Sequence, residues 1–226
     1  MAKYSAWFLA DFDVIQIQSL TFNPFAENTF ILFDESGECI IIDPGCYEPQ
    51  EEETLSAFIT NNDLKPVRMV NTHCHIDHVL GVEYVAKKYD LGFEFHRLDM
   101  PVFESTETVA AMYGIPNVKL PVQPIGFLDE NDTVKFGESE LEILFVPGHA
   151  PGHIAFLSKE QQFVIGGDVL FYGSIGRTDL PGGDHATLIN NIKSKFLPLG
   201  DDFTVYSGHG PETNMGFERT NNPFLQ

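Results

Sequence analysis

Four side chains able to bind a metal ion stand within six positions, directly after an apolar run. The run is Val-Arg-Met-Val at 67–70, and its pattern is typical of a buried strand. The four side chains are His73, His75, Asp77 and His78. Imidazole and carboxylate groups suit zinc, iron or manganese. Three histidines and an aspartate at this spacing predict a metal site rather than a solvated polar loop.

The cluster lies on a predicted loop between a strand and a helix, because residues 79–88 carry apolar side chains at helical spacing. Rigid scaffolds commonly present functional groups on such loops. His73 and His75 are two residues apart and can converge on one ion. Asp77 and His78 are adjacent, so their side chains diverge and can serve a second ion beside the first.

The whole chain has 226 residues, of which 43% are hydrophobic and 20% charged, as in ordinary globular proteins. Its formal charge of −20 argues against a nucleic-acid partner and disfavours anionic substrates unless a local cation offsets it. The cysteines, Cys39, Cys46 and Cys74, lack finger-like spacing and are predicted to be reduced thiols, and Cys74 is expected to have no role in the site.

The apolar stretch at 7–10 is too short for a signal sequence, and no run approaches the ~20 residues that span a bilayer. We therefore expect a cytoplasmic protein that uses neither a membrane nor nucleic acid as partner. The oligomeric state stays open.

Apolar and alternating runs predict a series of strands, and helical spacing predicts a series of helices between them. The strands are expected at 14–20, 28–33, 39–42, 67–70, 92–96, 133–137, 141–146, 154–157, 162–165 and 203–206. The helices are expected at 48–62, 79–88, 100–113 and 185–196, with a short one after 210. The proline-rich segment 115–124 is expected to connect two halves of the molecule. Strands followed by helices in each half favour packed sheets with helices outside.

A histidine or aspartate repeatedly follows an apolar strand. The motifs are THCHIDH at 72–78, PGHAPGH at 147–153, GGD at 166–168 and SGHG at 207–210, with an Asp-Pro-Gly turn at 43–45. Together they resemble the metallo-β-lactamase superfamily of metallohydrolases over nearly the whole chain. The resemblance implies one α/β domain over 1–226, a four-layer αββα sandwich with metals in a groove at one edge of its two sheets.

The resemblance also implies a ligand set for two divalent metal ions, zinc first and iron or manganese as alternatives. One ion would be held by His73, His75 and His149. The other would be held by Asp77, His78 and His209, with Asp168 bridging both. Asp43 would orient a ligand histidine, or would be a plain turn aspartate.

Two positions separate branches of this superfamily. True β-lactamases have the motif HxHxD without a histidine after the aspartate, and they have a cysteine where this chain has Asp168. His78 and Asp168 therefore indicate the glyoxalase II group, and residues 167–179 look like the short, glyoxalase II-like bacterial hydrolases. The implied reaction is hydrolysis of an acyl thioester such as S-lactoylglutathione by a hydroxide made available at the ions. Asp77 would both bind a metal ion and orient the water. The sequence contains no GxSxG nucleophile elbow.

The resemblance also bears on how the substrate is recognised. Full-length glyoxalase II carries a further helical domain with basic residues for glutathione, and this chain ends about where that domain would begin. Arg177 would bind a glutathione carboxylate, or would be a structural arginine paired with one of the chain's many carboxylates. Tyr172 would line the pocket or simply pack. The other histidines, His96, His153 and His185, are predicted to be structural, wall or surface residues.

An alternative function belongs to a different reaction class. The persulfide dioxygenases share the Gly-Arg-Thr-Asp run at 176–179, and use a single iron held at positions matching His73, His149 and Asp168. A third hypothesis, a binding domain that has lost activity, is disfavoured because every ligand position is intact.

Overall fold

The computed structural model describes residues 14–116, 118 and 122–226, so the expectation for 7–10 lies outside the described residues. The strands are β1 Gln16–Phe22, β2 Glu27–Phe33, β3 Glu38–Ile42, β4 Lys65–Val70, β5 Phe93–Phe95, β6 Gly126–Phe127, β7 Thr133–Phe136, β8 Ser139–Phe145, β9 Ile154–Ser158, β10 Phe163–Gly167, β11 Leu170–Phe171, β12 Ser174–Ile175, β13 Thr204–Ser207 and β14 Thr213–Asn214. The helices are α1 Pro49–Asn61, α2 Ile76–Val79, α3 Val82–Tyr89, α4 Met100–Glu104, α5 Thr106–Tyr113, α6 His185–Asn191 and α7 Met215–Asn221. Across these described ranges, no helix has the length and apolarity that crossing a membrane requires.

The strands form two mixed sheets of six strands each. The first runs β1-β2-β3-β4-β5-β6, antiparallel up to β3 and parallel from there on. The second runs β14-β13-β10-β9-β8-β7, in which only β10 and β13 are parallel. β11 and β12 pair in a small hairpin outside both sheets. The carboxyl ends of β3 and β4 therefore lie side by side, as do those of β10 and β13.

Both faces of each sheet are covered, which produces four layers. Along β2, Phe30 and Leu32 face the second sheet, whereas Ile31 faces α1 and α3. This follows from the two-residue period of a strand, and it explains why β2 is apolar throughout instead of alternating. On the second sheet, Val164 packs outward against Leu188 of α6. Burying one such side chain fully stabilises the fold by roughly 1.5–3 kcal/mol. The predicted αββα sandwich is confirmed.

Two predicted helices are interrupted, the first at a tertiary contact and the second at a local hydrogen bond. The helix expected at 79–88 breaks at Gly81, whose N–H donates to the carbonyl of Pro44 at 2.8 Å. A Cβ at Gly81 would stand 2.5 Å from the Cys46 sulfur, so only glycine permits this approach to the Asp-Pro-Gly turn. The helix expected at 100–113 divides at Ser105, whose hydroxyl donates to the carbonyl of Val102 at 2.7 Å.

The expected connection between the halves is displaced along the chain. After the segment 115–124, the chain returns to the first sheet as β6, which pairs with β5 in parallel. The crossing to β7 follows only then, through Leu128, whose side chain is buried between the sheets. The prediction failed because a strand of two residues carries too little periodicity to be recognised in sequence.

Candidate metal centre

All the predicted ligand positions lie at one end of the sandwich, just after the ends of strands from both sheets. β4 leads into the loop with His73 and His75, and β8 leads into the loop with His149. β10 ends immediately before Asp168, and β13 ends two residues before His209. Because β10 and β13 are parallel, their ends are adjacent, and Gly208 N–H donates to the carbonyl of Gly167 at 2.8 Å.

Three imidazole nitrogens meet in a first cluster. His75 Nδ1 lies 2.8 Å from His149 Nε2, which lies 3.1 Å from His73 Nε2. His149 Nδ1 donates to the carbonyl of Arg177 at 2.7 Å, so the Nε2 of the neutral ring presents a lone pair. Burial lowers the pKa of His73, and burial together with His149 lowers that of His75 to about 3. Neutral nitrogens facing one another in this way fit a shared cation.

A second cluster stands beside the first. His209 Nε2 lies 3.1 Å from Asp77 Oδ2, and His78 Nε2 lies 3.8 Å from the same oxygen. His209 Nδ1 donates to the carbonyl of Phe25 at 3.1 Å, and this leaves its Nε2 directed at the cluster. Burial opposes a charged His78, but Asp77 and Asp168 raise the pKa of its imidazole well above the ordinary range.

Asp168 lies between the clusters. Its Oδ2 is 3.4 Å from His149 Nε2 and 3.5 Å from His209 Nε2, while its Oδ1 is 3.5 Å from His78 Nε2. Burial would raise the pKa of Asp168, yet His78 and the other histidines lower it far below the ordinary value. Among the described residues, Asp168 Oδ1 and His78 Nε2 are buried without any hydrogen-bond partner. Oxygen and nitrogen donors left open in this way fit a divalent metal ion.

Asp43 holds the loop of the first two histidines from beneath. Its Oδ1 accepts from Thr72 N–H at 2.7 Å, and its Oδ2 accepts from the Thr72 hydroxyl at 2.6 Å and from His78 Nδ1 at 3.1 Å. The backbone of Asp43 has a φ of +52°, a left-handed conformation that aspartate tolerates better than most residues. Both oxygens are thus engaged, and the geometry suits the predicted orienting role rather than that of a plain turn residue.

Two buried acidic residues of the centre were missed by the sequence analysis. Glu27 is fully buried with its Oε1 at 3.9 Å from His78 Nδ1, and burial raises the pKa of its carboxyl. Asp99 accepts from the N–H groups of Cys74 and Gly152. The only sequence signal was an acidic residue next to a predicted strand or helix, which is usually a surface feature.

The predicted substrate-binding residues lie at the rim. Arg177 donates from Nε and Nη2 to the two oxygens of Asp179, both at 2.8 Å, so much of its guanidinium is already engaged. Tyr172 is 56% exposed and stacks on Phe217 with ring centroids 4.6 Å apart. Arg177 therefore has an ion-pair partner and Tyr172 a packing partner at the rim of the centre.

The remaining histidines lie where expected. His153 is buried against the first cluster, and its Nε2 accepts from the Asp168 N–H at 3.0 Å. His96 stacks on Phe145, and His185 is exposed at the start of α6. Cys74 packs into the apolar core under the first sheet, and burial raises the pKa of its thiol.

The fold and the clustered histidines and aspartates define a metallohydrolase-like scaffold. Sequence comparison identifies the superfamily to which it belongs. The profile of the metallo-beta-lactamase superfamily matches residues 22–209, and the chain belongs to that superfamily. The hydroxyacylglutathione hydrolase GloC of Haemophilus influenzae is 38% identical over 214 residues, 93% of this chain and 98% of that protein.

Solved structures agree on the architecture. TTHA1623, solved in a di-iron-bound form, superposes with a TM-score of 0.83 at 38% identity, covering 92% of this chain and 100% of its own. The BLEG-1 B3 metallo-beta-lactamase reaches 0.85 at 30% identity, covering 93% and 100%. ETHE1 from Myxococcus xanthus reaches 0.73 at 22% identity, covering 92% and 83%, and is similar in fold alone.

Proposed function

We propose that the protein is a metal-dependent hydrolase of acyl thioesters that resembles glyoxalase II. The observation that carries the proposal is the convergence of seven ligand-capable side chains with two buried atoms left without partners. Those side chains are His73, His75, Asp77, His78, His149, Asp168 and His209. The similarity to the Haemophilus influenzae hydroxyacylglutathione hydrolase supports a thioester as substrate.

We divide the ligand set into two sites, and the grouping of the ligand atoms supports this division. The three-histidine site comprises His73, His75 and His149, and the mixed site comprises Asp77, His78 and His209, with Asp168 reaching both. The similarity to TTHA1623 in its di-iron-bound form supports two metals per chain. Zinc is our first choice, with iron or manganese as alternatives that the same donors accept.

When bound, two divalent cations supply a hydroxide at neutral pH and polarise the carbonyl to be attacked. The chain's own groups then have defined tasks. Asp77 is 13% exposed at its side chain and faces the mixed site, where its carboxylate orients the attacking water. The reaction forms a C–O bond and breaks the C–S bond, releasing a carboxylic acid and a thiol.

The rim accommodates the remainder of the thioester. Arg177 supplies positive charge in a chain of formal charge −20, and Tyr172 supplies an exposed ring for apolar contact. The ion pair of Arg177 with Asp179 neutralises part of that charge. Binding of the anionic, thiol-bearing part of the substrate at this point would therefore be weak.

A persulfide dioxygenase-like reaction is the second candidate, and the run Gly-Arg-Thr-Asp at 176–179 favours it. That reaction needs one iron, whereas the mixed site offers ligands for a second metal. Metal count and oxygen uptake therefore separate the two candidates more sharply than metal identity.

The first experiment is metal analysis of protein purified without added metal, paired with hydrolysis of S-lactoylglutathione. About two metals per chain with thioester turnover would support the proposal. One iron per chain with oxygen uptake on glutathione persulfide would favour the dioxygenase, and turnover of a β-lactam alone would contradict both.

Variants then test the site itself. We expect His75→Ala and Asp168→Ala to abolish turnover and lower metal content while the circular dichroism spectrum stays unchanged. His185→Ala removes an exposed histidine outside the centre and serves as the matched control. Wild-type turnover in His75→Ala or Asp168→Ala would refute the assignment.

A further inference from the structure

Asp99 is a fully buried carboxylate that contacts two separate metal-site loops. It ends the 3-10 turn Arg97–Asp99 and precedes α4, where an aspartate would ordinarily cap the helix with its side chain. Here the side chain makes no capping hydrogen bond. Its two oxygens instead point inward and are both used elsewhere.

Each oxygen of Asp99 accepts from a different loop. Oδ2 accepts from Cys74 N–H at 2.6 Å, between His73 and His75 in the chain. Oδ1 accepts from Gly152 N–H at 2.7 Å, in the loop that carries His149. Hydrogen bonds from N–H groups to a buried carboxylate are among the stronger ones in proteins. One side chain thus links the two loops that supply all three histidines of the three-histidine site.

The close approach of the His149 loop to Asp99 depends on Gly152. A Cβ at Gly152 would stand 2.5 Å from the backbone nitrogen of Asp99, so only glycine lets this loop reach the carboxylate. A second link exists away from Asp99, where Ile154 N–H donates to the carbonyl of Thr72 at 2.8 Å. That backbone pair should keep the loops folded when Asp99 is altered.

We infer that Asp99 is a positioning residue that sets the spacing of the three-histidine site by holding both of its loops. This inference rests on the two-site metal centre proposed above. The effect of Asp99 should be selective, because among the described residues the loops of Asp168 and His209 have no hydrogen bond to Asp99. The three-histidine site should depend on Asp99, and the mixed site should depend on it far less.

Asp99→Asn keeps the size of the side chain but turns one acceptor into a donor, so one of the two N–H groups loses its partner. We expect the affinity of the three-histidine site for cobalt(II) to fall about 10–100-fold, as for other groups that orient metal ligands. The measurement is a chelator competition with metal-free protein. The visible cobalt spectrum reports the coordination geometry at the same time.

Site assignment uses two backgrounds. In His209→Ala the three-histidine site remains complete, and there the added Asp99→Asn change should cause the full loss of affinity. In His75→Ala the same change should have little effect. An equal loss in both backgrounds would refute the selective role.

Asp34→Asn is the matched control. Asp34 is also a buried aspartate that accepts from two backbone N–H groups, those of Ser36 at 3.0 Å and Glu138 at 2.9 Å, at the opposite end of the sandwich. If this control lowers cobalt affinity as much as Asp99→Asn does, Asp99 contributes only general stability.

A second variant covers the case in which Asp99→Asn does not fold. Gly152→Ala pushes the His149 loop away from Asp99 without altering the carboxylate, and it should weaken the same site. Wild-type cobalt affinity and spectrum in this variant would overturn the inference. Failure of the wild-type protein to bind two ions would instead contradict the proposed centre.

Discussion

Asp43→Asn should disturb both metal sites through the tautomers of two histidines. Thr72 N–H needs an acceptor, so the amide oxygen of the substituted side chain takes the place of Oδ1 and its NH₂ group takes that of Oδ2. The NH₂ group then faces His78 Nδ1, where two donors meet. The ring responds by moving its proton to Nε2, the atom that faces the mixed site.

The same change reaches the three-histidine site through Thr72. In the native protein the Thr72 hydroxyl donates to Asp43 and so accepts from His73 Nδ1, 3.1 Å away, and this leaves His73 Nε2 free. In the Asp43→Asn variant the NH₂ group no longer accepts the Thr72 hydroxyl proton. That proton then turns toward His73 Nδ1 and competes with the ring's own proton for this nitrogen. We expect each site to lose about 10–100-fold in metal affinity, equivalent to about 1.4–2.7 kcal/mol.

The assay is a chelator competition on metal-free protein, with circular dichroism as the check on folding. Thr72→Val is the informative companion, because it removes the link to His73 but keeps the contact of Asp43 with His78. It should weaken the three-histidine site alone. Two ions bound to the Asp43→Asn variant with native affinity would refute the reasoning.

Two further predictions concern acidic residues outside the centre. Burial would raise the pKa of Asp34, but hydrogen bonds from Ser36 and Ser139 lower it overall, so its stabilising effect is present above the ordinary pKa and is lost as the pH falls through the lowered one. The difference in free energy of unfolding between wild type and Asp34→Asn should therefore shrink from about pH 6 to about pH 2 in urea titrations, and a constant difference would count against this. Asp179→Asn frees the guanidinium of Arg177, so the KM for S-lactoylglutathione should fall about twofold to fivefold at unchanged kcat. A KM that rises, or a change confined to kcat, would exclude Arg177 from binding the anionic part of the substrate.

The layers and the clustered side chains were predictable from local signals. Each candidate ligand follows an apolar strand, and strands that end at the same edge of a sandwich bring such residues together. His149 and His209 illustrate this, since they are far apart in sequence but reach the same centre. The assignment of each ligand to one of the two ions rested on the family resemblance, because sequence spacing alone does not tell which ligand faces which ion.

The supporting contacts were not predictable in the same way. Asp99 meets Cys74 and Gly152, which are 25 and 53 residues away in sequence, so no local pattern marks it. The break at Gly81 likewise depends on the carbonyl of Pro44. In each case tertiary hydrogen bonds override a local preference that points to a surface residue or a continuous helix.

The division of the candidate ligands between the two sheets has a mechanical consequence. His73 and His75 follow a strand of the first sheet, and His149 follows a strand of the second. A cation held by all three candidate ligands would therefore join the sheets across their seam, and because the unfolded chain has no such site, the binding free energy of the ion would stabilise the folded state. Separation of the sheets would have to wait for the ion to dissociate, so the lifetime of the folded protein should follow the rate of metal release.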